Sequence, residues 1–193
     1  MDRKLFWFEA LKGGTMIGLV RSAFALLQQA LIDGEKTKLA SIVGIISFVA
    51  LVLLVYAFCR KVASYAAPAQ GFSYGKGMSF VFAMMLFTGV ITGLYSAIVN
   101  NFFMTDQIYD QINEMMVVYE SMLPAEQVDT FYDSMVASMM NPITLILSNT
   151  FANLLVGGFV GIFVCSLTIR RPDIFADASV VEEKQEAQNE SNE

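Results

Sequence analysis

Residues 143–169 read ITLILSNTFANLLVGGFVGIFVCSLTI, a stretch without any Asp, Glu, Lys or Arg. About 20 apolar residues are enough for a helix to cross the roughly 30 Å hydrocarbon core of a bilayer. Arg170, Arg171 and Pro172 follow at once. Two cations, followed by a residue that lacks a backbone donor, are typical of a helix that ends at a membrane surface. This stretch therefore predicts a membrane-spanning helix.

Three further stretches have the same character, namely residues 13–32, 39–58 and 77–99. The second and third of the four spans carry no charged residue. The first contains Arg21, so a helix lying in the membrane interface is the alternative there. The sequence predicts an all-α membrane protein, built as a bundle of four transmembrane helices.

The overall composition narrows the function classes. Of the 193 residues, 55% are hydrophobic and 16% are charged, whereas about a quarter are charged in an average soluble domain. The chain has no His, which excludes His-based triads and His-ligated metal sites. Its two cysteines are too few for a disulfide framework. A net charge of −6 argues against a nucleic-acid partner. We expect no enzymatic activity and no cofactor.

The basic residues predict an orientation. With four spans, both termini lie on one side of the membrane, and cytoplasmic loops are the ones rich in Lys and Arg. Nine of the twelve basic residues fall on the side of the termini: Arg3, Lys4, Lys12, Arg60, Lys61, Lys76, Arg170, Arg171 and Lys184. Both termini are therefore predicted to be cytoplasmic.

Residues 105–140, between the third and fourth spans, have a helical periodicity. Ile108, Ile112, Met115, Tyr119 and Met122 recur at intervals of three and four. A second apolar stripe follows Pro124, which suits a first helical turn. The segment 100–142 has seven acids and no basic residue. We predict an extracytoplasmic amphipathic helical hairpin here.

The two ends of the last span also carry signals. Asn141 and Pro142 are typical of the N-cap and first position of a helix. At the other end, the membrane domain is predicted to end at residue 172. Residues 173–193 are polar and acidic, and a disordered cytoplasmic tail is expected there.

Arg21 marks a candidate polar site within the membrane. An arginine at the centre of a span costs about 2.5 to 3.5 kcal/mol on insertion scales, so it normally faces protein or water. Gln28 shares its helix face, and Asn149 and Asn153 on the fourth span are the expected partners. Two interpretations remain open: a polar path for a solute, or an arginine that hydrogen-bonds neighbouring helices or extends to the headgroups.

Small residues recur every four positions on three of the spans. The pairs are Gly14 and Gly18, Gly89 and Gly93, and Gly157 and Gly161. Such patterns allow helix backbones to approach closely in membranes and specify no ligand. We interpret them as helix-packing positions.

The predicted hairpin region holds seven of the twelve methionines, at positions 104, 115, 116, 122, 135, 139 and 140. Thioethers are soft ligands, so a Cu(I) or Ag(I) site is one interpretation. The other is an adaptable apolar surface that packs on a partner protein or on lipid. Without His or Cys nearby, the sequence favours the second.

Several of these features together resemble a known family. They are the start Phe-Trp-Phe-Glu-Ala-Leu-Lys-Gly-Gly that runs into the glycine-rich first span, the acidic insert, the Asn141-Pro142 entry and the Arg170-Arg171 exit. The layout of residues 4–172 resembles the bacterial membrane-protein family catalogued as domain of unknown function 4199. The resemblance implies a four-helix protein of the bacterial inner membrane and supplies no catalytic or binding residues.

We therefore expect a non-enzymatic structural or interaction component of the bacterial envelope. Its expected partners are the lipid bilayer and, through the hairpin, an envelope protein or a second copy of the chain. The alternative is a small transporter or channel component with a polar path around Arg21, Gln28, Asn149 and Asn153.

Overall fold

The computed structural model describes residues 3–34, 36–66, 71–120, 122 and 124–170. Within these ranges the chain forms six helices: α1 (Arg3–Asp33), α2 (Thr37–Ser64), α3 (Tyr74–Phe102), α4 (Thr105–Glu120), α5 (Ala125–Met140) and α6 (Pro142–Thr168). The β-type pairing in the same ranges is one isolated antiparallel bridge between Phe72 and Arg170. The predicted tail, residues 173–193, and the Arg171-Pro172 exit lie outside the described residues.

Helices α1, α2, α3 and α6 are each long and apolar enough to cross a membrane. This confirms an all-helical chain with four long apolar segments. The first three predicted spans lie entirely inside these helices, and the fourth does so to within one residue. Three helices are longer than their predicted spans, since α1 begins at Arg3, α2 continues to Ser64 and α3 extends over Tyr74–Phe102. A helix continues through Lys and Arg because their helix propensities are high, whereas a span ends where apolar side chains end.

Four helix termini meet at one end of the bundle. Lys61, near the end of α2, contacts Glu9, near the start of α1, with Nζ and Oε1 2.8 Å apart. The backbone of Phe72, just before α3, pairs with Arg170, just after α6, at 2.9 and 3.1 Å. The four helices therefore alternate in direction. We call this end the basic end, after Arg3, Lys4, Lys12, Arg60, Lys61, Lys76 and Arg170.

The start of α6 is capped as the sequence predicts. The side chain of Asn141 accepts hydrogen bonds from the backbone N–H groups of Ile143 and Thr144, at 2.9 and 3.3 Å. Pro142 occupies the first turn, where its missing N–H leaves no hydrogen bond unmade. These two residues separate α6 sharply from α5.

Helix α3 packs on both α1 and α6, and glycines make the α3–α6 approach close. A Cβ atom at Gly93 would lie 2.6 Å from Cα of Ile146 on α6. Toward the basic end the roles are exchanged, because Gly161 of α6 faces Met78 of α3, where a Cβ atom would lie 2.8 Å from the sulfur. Gly89 faces Thr150 and Gly157 faces Met85 in the same way. The glycine pairs of α3 and α6 thus lie against larger residues of the partner helix.

Helix α1 approaches α3 through its own glycine pair. A Cβ atom at Gly18 would lie 2.7 Å from Cβ of Ile91. Beside Gly14, the hydroxyl of Thr88 donates a hydrogen bond to the Gly14 carbonyl oxygen at 3.1 Å. Close approach and an interhelical hydrogen bond therefore occur at the same place, as small residues in membrane helices permit.

Helices α4 and α5 form a separate pair with its own apolar cluster. Ile108, Ile112 and Met116 are buried against side chains of α5. The rings of Tyr119 and Phe131 lie 5.0 Å apart at one end of the pair. At its other end, Asn100 and Asn101 donate hydrogen bonds to the carbonyl oxygens of Met139 and Met140, at 2.9 and 2.8 Å. These bonds attach the pair to the end of α3.

Substitutions at glycine test the α3–α6 contact. We expect Gly93→Val to lower the free energy of unfolding by about 1–3 kcal/mol, because the added atoms overlap the Ile146 backbone. Gly75→Ala is the control, since no atom lies within 4 Å of a Cβ there. Thermal unfolding in a mild detergent measures both variants. If Gly93→Val and Gly75→Ala unfolded at the same midpoint temperature, the close α3–α6 packing at Gly93 would be contradicted.

Candidate functional site

Arg21 of α1 is bonded to Asn153 of α6 in the middle of the bundle. Its Nη1 donates a hydrogen bond to Oδ1 of Asn153. Asn153 is buried, with 4% of its surface exposed, and Arg21 is half-buried. The guanidinium of the first apolar helix therefore faces protein, as the sequence predicts.

The amide of Asn153 connects this pair to α3. Its Nδ2 donates to the Thr92 hydroxyl at 3.1 Å and to the Asn149 carbonyl oxygen at 2.8 Å. The Thr92 hydroxyl in turn donates to the carbonyl oxygen of Thr88 at 3.0 Å. One amide thus links α1, α3 and α6, and its oxygen and both its hydrogens are engaged. We call Arg21, Thr92 and Asn153 the polar cluster.

The other two predicted site residues lie apart from Arg21. The side chain of Asn149 donates to the carbonyl oxygen of Leu145 on its own helix, at 2.9 Å. Gln28 faces α2, because a Cβ atom at Gly44 would lie 3.3 Å from its Nε2. Seven residues also place Gln28 about 10 Å farther along α1 than Arg21. Of the four candidates, the structure brings Arg21 and Asn153 into direct contact, and Asn149 joins through its backbone.

Two buried hydroxyls that lie close to the polar cluster in the sequence have no hydrogen-bond partner among the described residues. They belong to Ser22, which follows Arg21, and to Thr150, which faces Gly89. Buried hydroxyls of this kind can hold a water molecule. Within the described residues, no group of three His, Cys, Asp or Glu side chains could hold a metal ion. The chemistry of the cluster is hydrogen bonding by a permanent cation and an amide.

The sequence analysis missed a second polar contact, at the basic end. Glu9 has 4% of its surface exposed, and both of its carboxylate oxygens accept from Lys61, at 2.8 and 2.9 Å. The Tyr65 hydroxyl donates to the same carboxylate at 3.4 Å. The predicted orientation did place Glu9 and Lys61 on the same side of the membrane. Their spacing in the chain, however, gives no signal that they pair.

Residues 12–171 contain both Arg21 and Asn153 and the whole α4–α5 pair. They match the family model described as "Protein of unknown function (DUF4199)". The chain belongs to the DUF4199 family. No curated protein and no solved structure matches the chain. Membership of DUF4199 confirms the resemblance seen in the sequence and assigns no activity to the polar cluster.

A double-mutant cycle tests the Arg21–Asn153 bond. We expect Arg21→Met and Asn153→Leu to destabilise the protein singly. The double variant should lose less than their sum, by about 0.6 to 1.7 kcal/mol, the range of such couplings between membrane helices. Arg21→Met combined with Gln28→Leu is the control and should be additive, because Gln28 faces α2 about 10 Å farther along α1 than Arg21. Unfolding in mixed detergent micelles provides the free energies, and additivity in both cycles would disprove the bond.

Proposed function

We propose that this DUF4199 protein is an integral component of the bacterial inner membrane. The exposed surface of its long helices supports this placement. Phe159 and Phe163 of α6 have 74% and 66% of their surface exposed, and Ile45 and Leu53 of α2 are exposed to a similar extent. Soluble monomers rarely expose contiguous apolar patches of more than a few hundred Å². Lipid chains around these helices would remove the free-energy cost of exposing this apolar surface to water.

The charges support a cytoplasmic location for the basic end. Lys and Arg near the ends of spans mark the cytoplasmic side. The α4–α5 pair lies at the opposite end and contributes acids such as Asp110, Glu114 and Asp133. In this orientation both termini are cytoplasmic, and α4 and α5 form a helical hairpin outside the cytoplasm.

Labelling of introduced cysteines tests this orientation. In a Cys59→Ala/Cys165→Ala background, the Gln111→Cys variant places a thiol on exposed α4. The Gly75→Cys variant places one at the basic end. A membrane-impermeant maleimide should modify the first variant in intact spheroplasts and the second only after permeabilisation. The reverse pattern, or recovery of the protein in the soluble fraction without detergent, would refute the placement.

We further infer that the chain acts without catalysis, as an interaction protein whose docking element is the α4–α5 pair. One observation carries this proposal. The pair fills its own core with Ile108, Ile112 and Met116, and yet Val117 and Met122 remain 72% and 73% exposed at its far end. Exposed apolar residues rimmed by polar ones are typical of protein-interaction sites. The expected partner is an envelope protein with an apolar pocket, or a second copy of the chain.

The structure also narrows which methionines would dock. Met116 is buried, and Met104, Met135, Met139 and Met140 pack against the same cluster. These five therefore pack within the pair, Met115 is half-buried, and Met122 is the exposed methionine of the tip. We call Val117 and Met122 the tip patch.

Photocrosslinking tests the tip patch. A photoreactive amino acid at Val117 or at Met122 should trap one discrete protein adduct in cells. The same group at Gln111, exposed on a polar part of α4, should not trap it. Met122→Asp should weaken the adduct formed from Val117, because it introduces a charge into the apolar contact. Lipid adducts alone, or equal trapping from Gln111, would contradict a docking role.

The transport alternative has less support. A polar path needs donors and acceptors that are free to bind a solute, but the Asn153 amide is fully engaged within the bundle. Gln28 faces α2 rather than the polar cluster. The polar cluster is therefore better suited to holding three helices together than to conducting a solute.

A further inference from the structure

A groove runs along the outside of the bundle between α2 and α6. Its cavity has a volume of about 550 Å³ and is lined by apolar side chains alone, among them Phe48, Val52, Leu155, Val156, Phe159 and Phe163. Both helices end at the basic end, so the groove lies between two parallel helices. No other helix of the described residues lines this cavity.

A second cavity follows the groove at the basic end. Its volume is about 410 Å³, and it is lined by Tyr56, Ala57, Arg60, Lys61, Ser64 and Arg170. Tyr56 lies one helical turn after Val52, so the two cavities succeed each other along α2. On the other side of the groove, Arg170 lies two residues beyond Thr168, the last residue of α6, and seven positions after Phe163. The apolar groove therefore leads toward a cavity with three basic residues.

Among the described residues, two of the three cations in this cavity have no acidic partner. Lys61 is paired with Glu9 at 2.8 Å. Arg60 and Arg170 are exposed, and in the described part of the chain neither guanidinium has a hydrogen-bond or ion-pair partner. Guanidinium groups bind phosphate oxygens bidentately, through charge-assisted hydrogen bonds. The cavity thus has the charge and the donors for a phosphate group.

The dimensions of the groove fit one leaflet of a bilayer. The twelve residues from Phe48 to Arg60 rise by about 18 Å, compared with about 15 Å for half of the hydrocarbon core. Basic pockets between membrane helices on the cytoplasmic side bind anionic headgroups. We propose that the α2–α6 groove is a binding site for an anionic phospholipid. An acyl chain lies along Val52 and Phe159, and the phosphate contacts Arg60 and Arg170. This proposal rests on the membrane placement proposed above.

Native mass spectrometry of the full chain in a neutral detergent tests the site. Phosphatidylglycerol and phosphatidylcholine with the same acyl chains are titrated separately, and phosphatidylglycerol should bind more tightly. The Arg60→Gln/Arg170→Gln variant should lose about fivefold in affinity for each arginine, roughly 25-fold in all. Both residues are exposed, so the variant should fold. Arg3→Gln/Lys76→Gln is the matched control, because these residues line a different cavity at the same end; its affinity should change less than twofold.

Two further experiments test whether the bound ligand is a lipid rather than a free phosphate compound. Glycerol 3-phosphate should not compete with phosphatidylglycerol at equal concentration, because the apolar groove contributes to binding. Val52→Trp/Val156→Trp, which fills the groove, should weaken phosphatidylglycerol binding while thermal unfolding shows that the variant folds. Three results would each overturn the proposal. They are competition by glycerol 3-phosphate, equal binding of the two lipids, and an equal loss of affinity in the Arg60→Gln/Arg170→Gln variant and in its Arg3→Gln/Lys76→Gln control. A protein that binds neither lipid and needs no detergent would instead refute the membrane placement.

Discussion

Close contact between helix backbones organises this bundle. Helix α3 lies between α1 and α6 because glycines on all three helices let a neighbour approach to contact distance. Ile91 packs against Gly18, the backbone of Ile146 packs against Gly93, and Met78 packs against Gly161. With the membrane placement proposed above, exclusion of water cannot drive the helices together, so packing and hydrogen bonds must do so. The glycines supply the packing and bring polar side chains within reach of each other.

The polar cluster depends on that approach. Asn153 can bond to Arg21 and Thr92 together because α1, α3 and α6 meet beside the glycine contacts. A charged residue in an apolar helix then has a defined partner. Removing Arg21 would leave the buried Oδ1 of Asn153 without the donor that it bonds, which costs more than the bond itself contributes. The cluster therefore specifies how the three helices align as well as holding them together.

Much of the fold could be predicted from the sequence, because charge-free stretches as long as residues 143–169 have few alternatives. The cap at Asn141 and the inward direction of Arg21 followed from local chemistry in the same way. The site was harder to predict. Periodicity places Gln28 on the face of Arg21, but α1 contacts two neighbours, and only the tertiary arrangement shows that Gln28 faces α2. The Glu9–Lys61 pair joins residues on different helices, which a single sequence does not reveal.

The two ends of the molecule present different surfaces, and this difference bears on function. At the basic end, Glu9 compensates Lys61, whereas Arg60 and Arg170 keep their charges beside an apolar groove. At the other end, Ile108, Ile112 and Met116 fill the core of the α4–α5 pair, and Val117 and Met122 stay exposed. In the bundle's centre, in contrast, the Asn153 amide is fully used in hydrogen bonds within the protein. The two binding surfaces proposed above therefore lie on the outside of the bundle, at opposite ends, and share no residues.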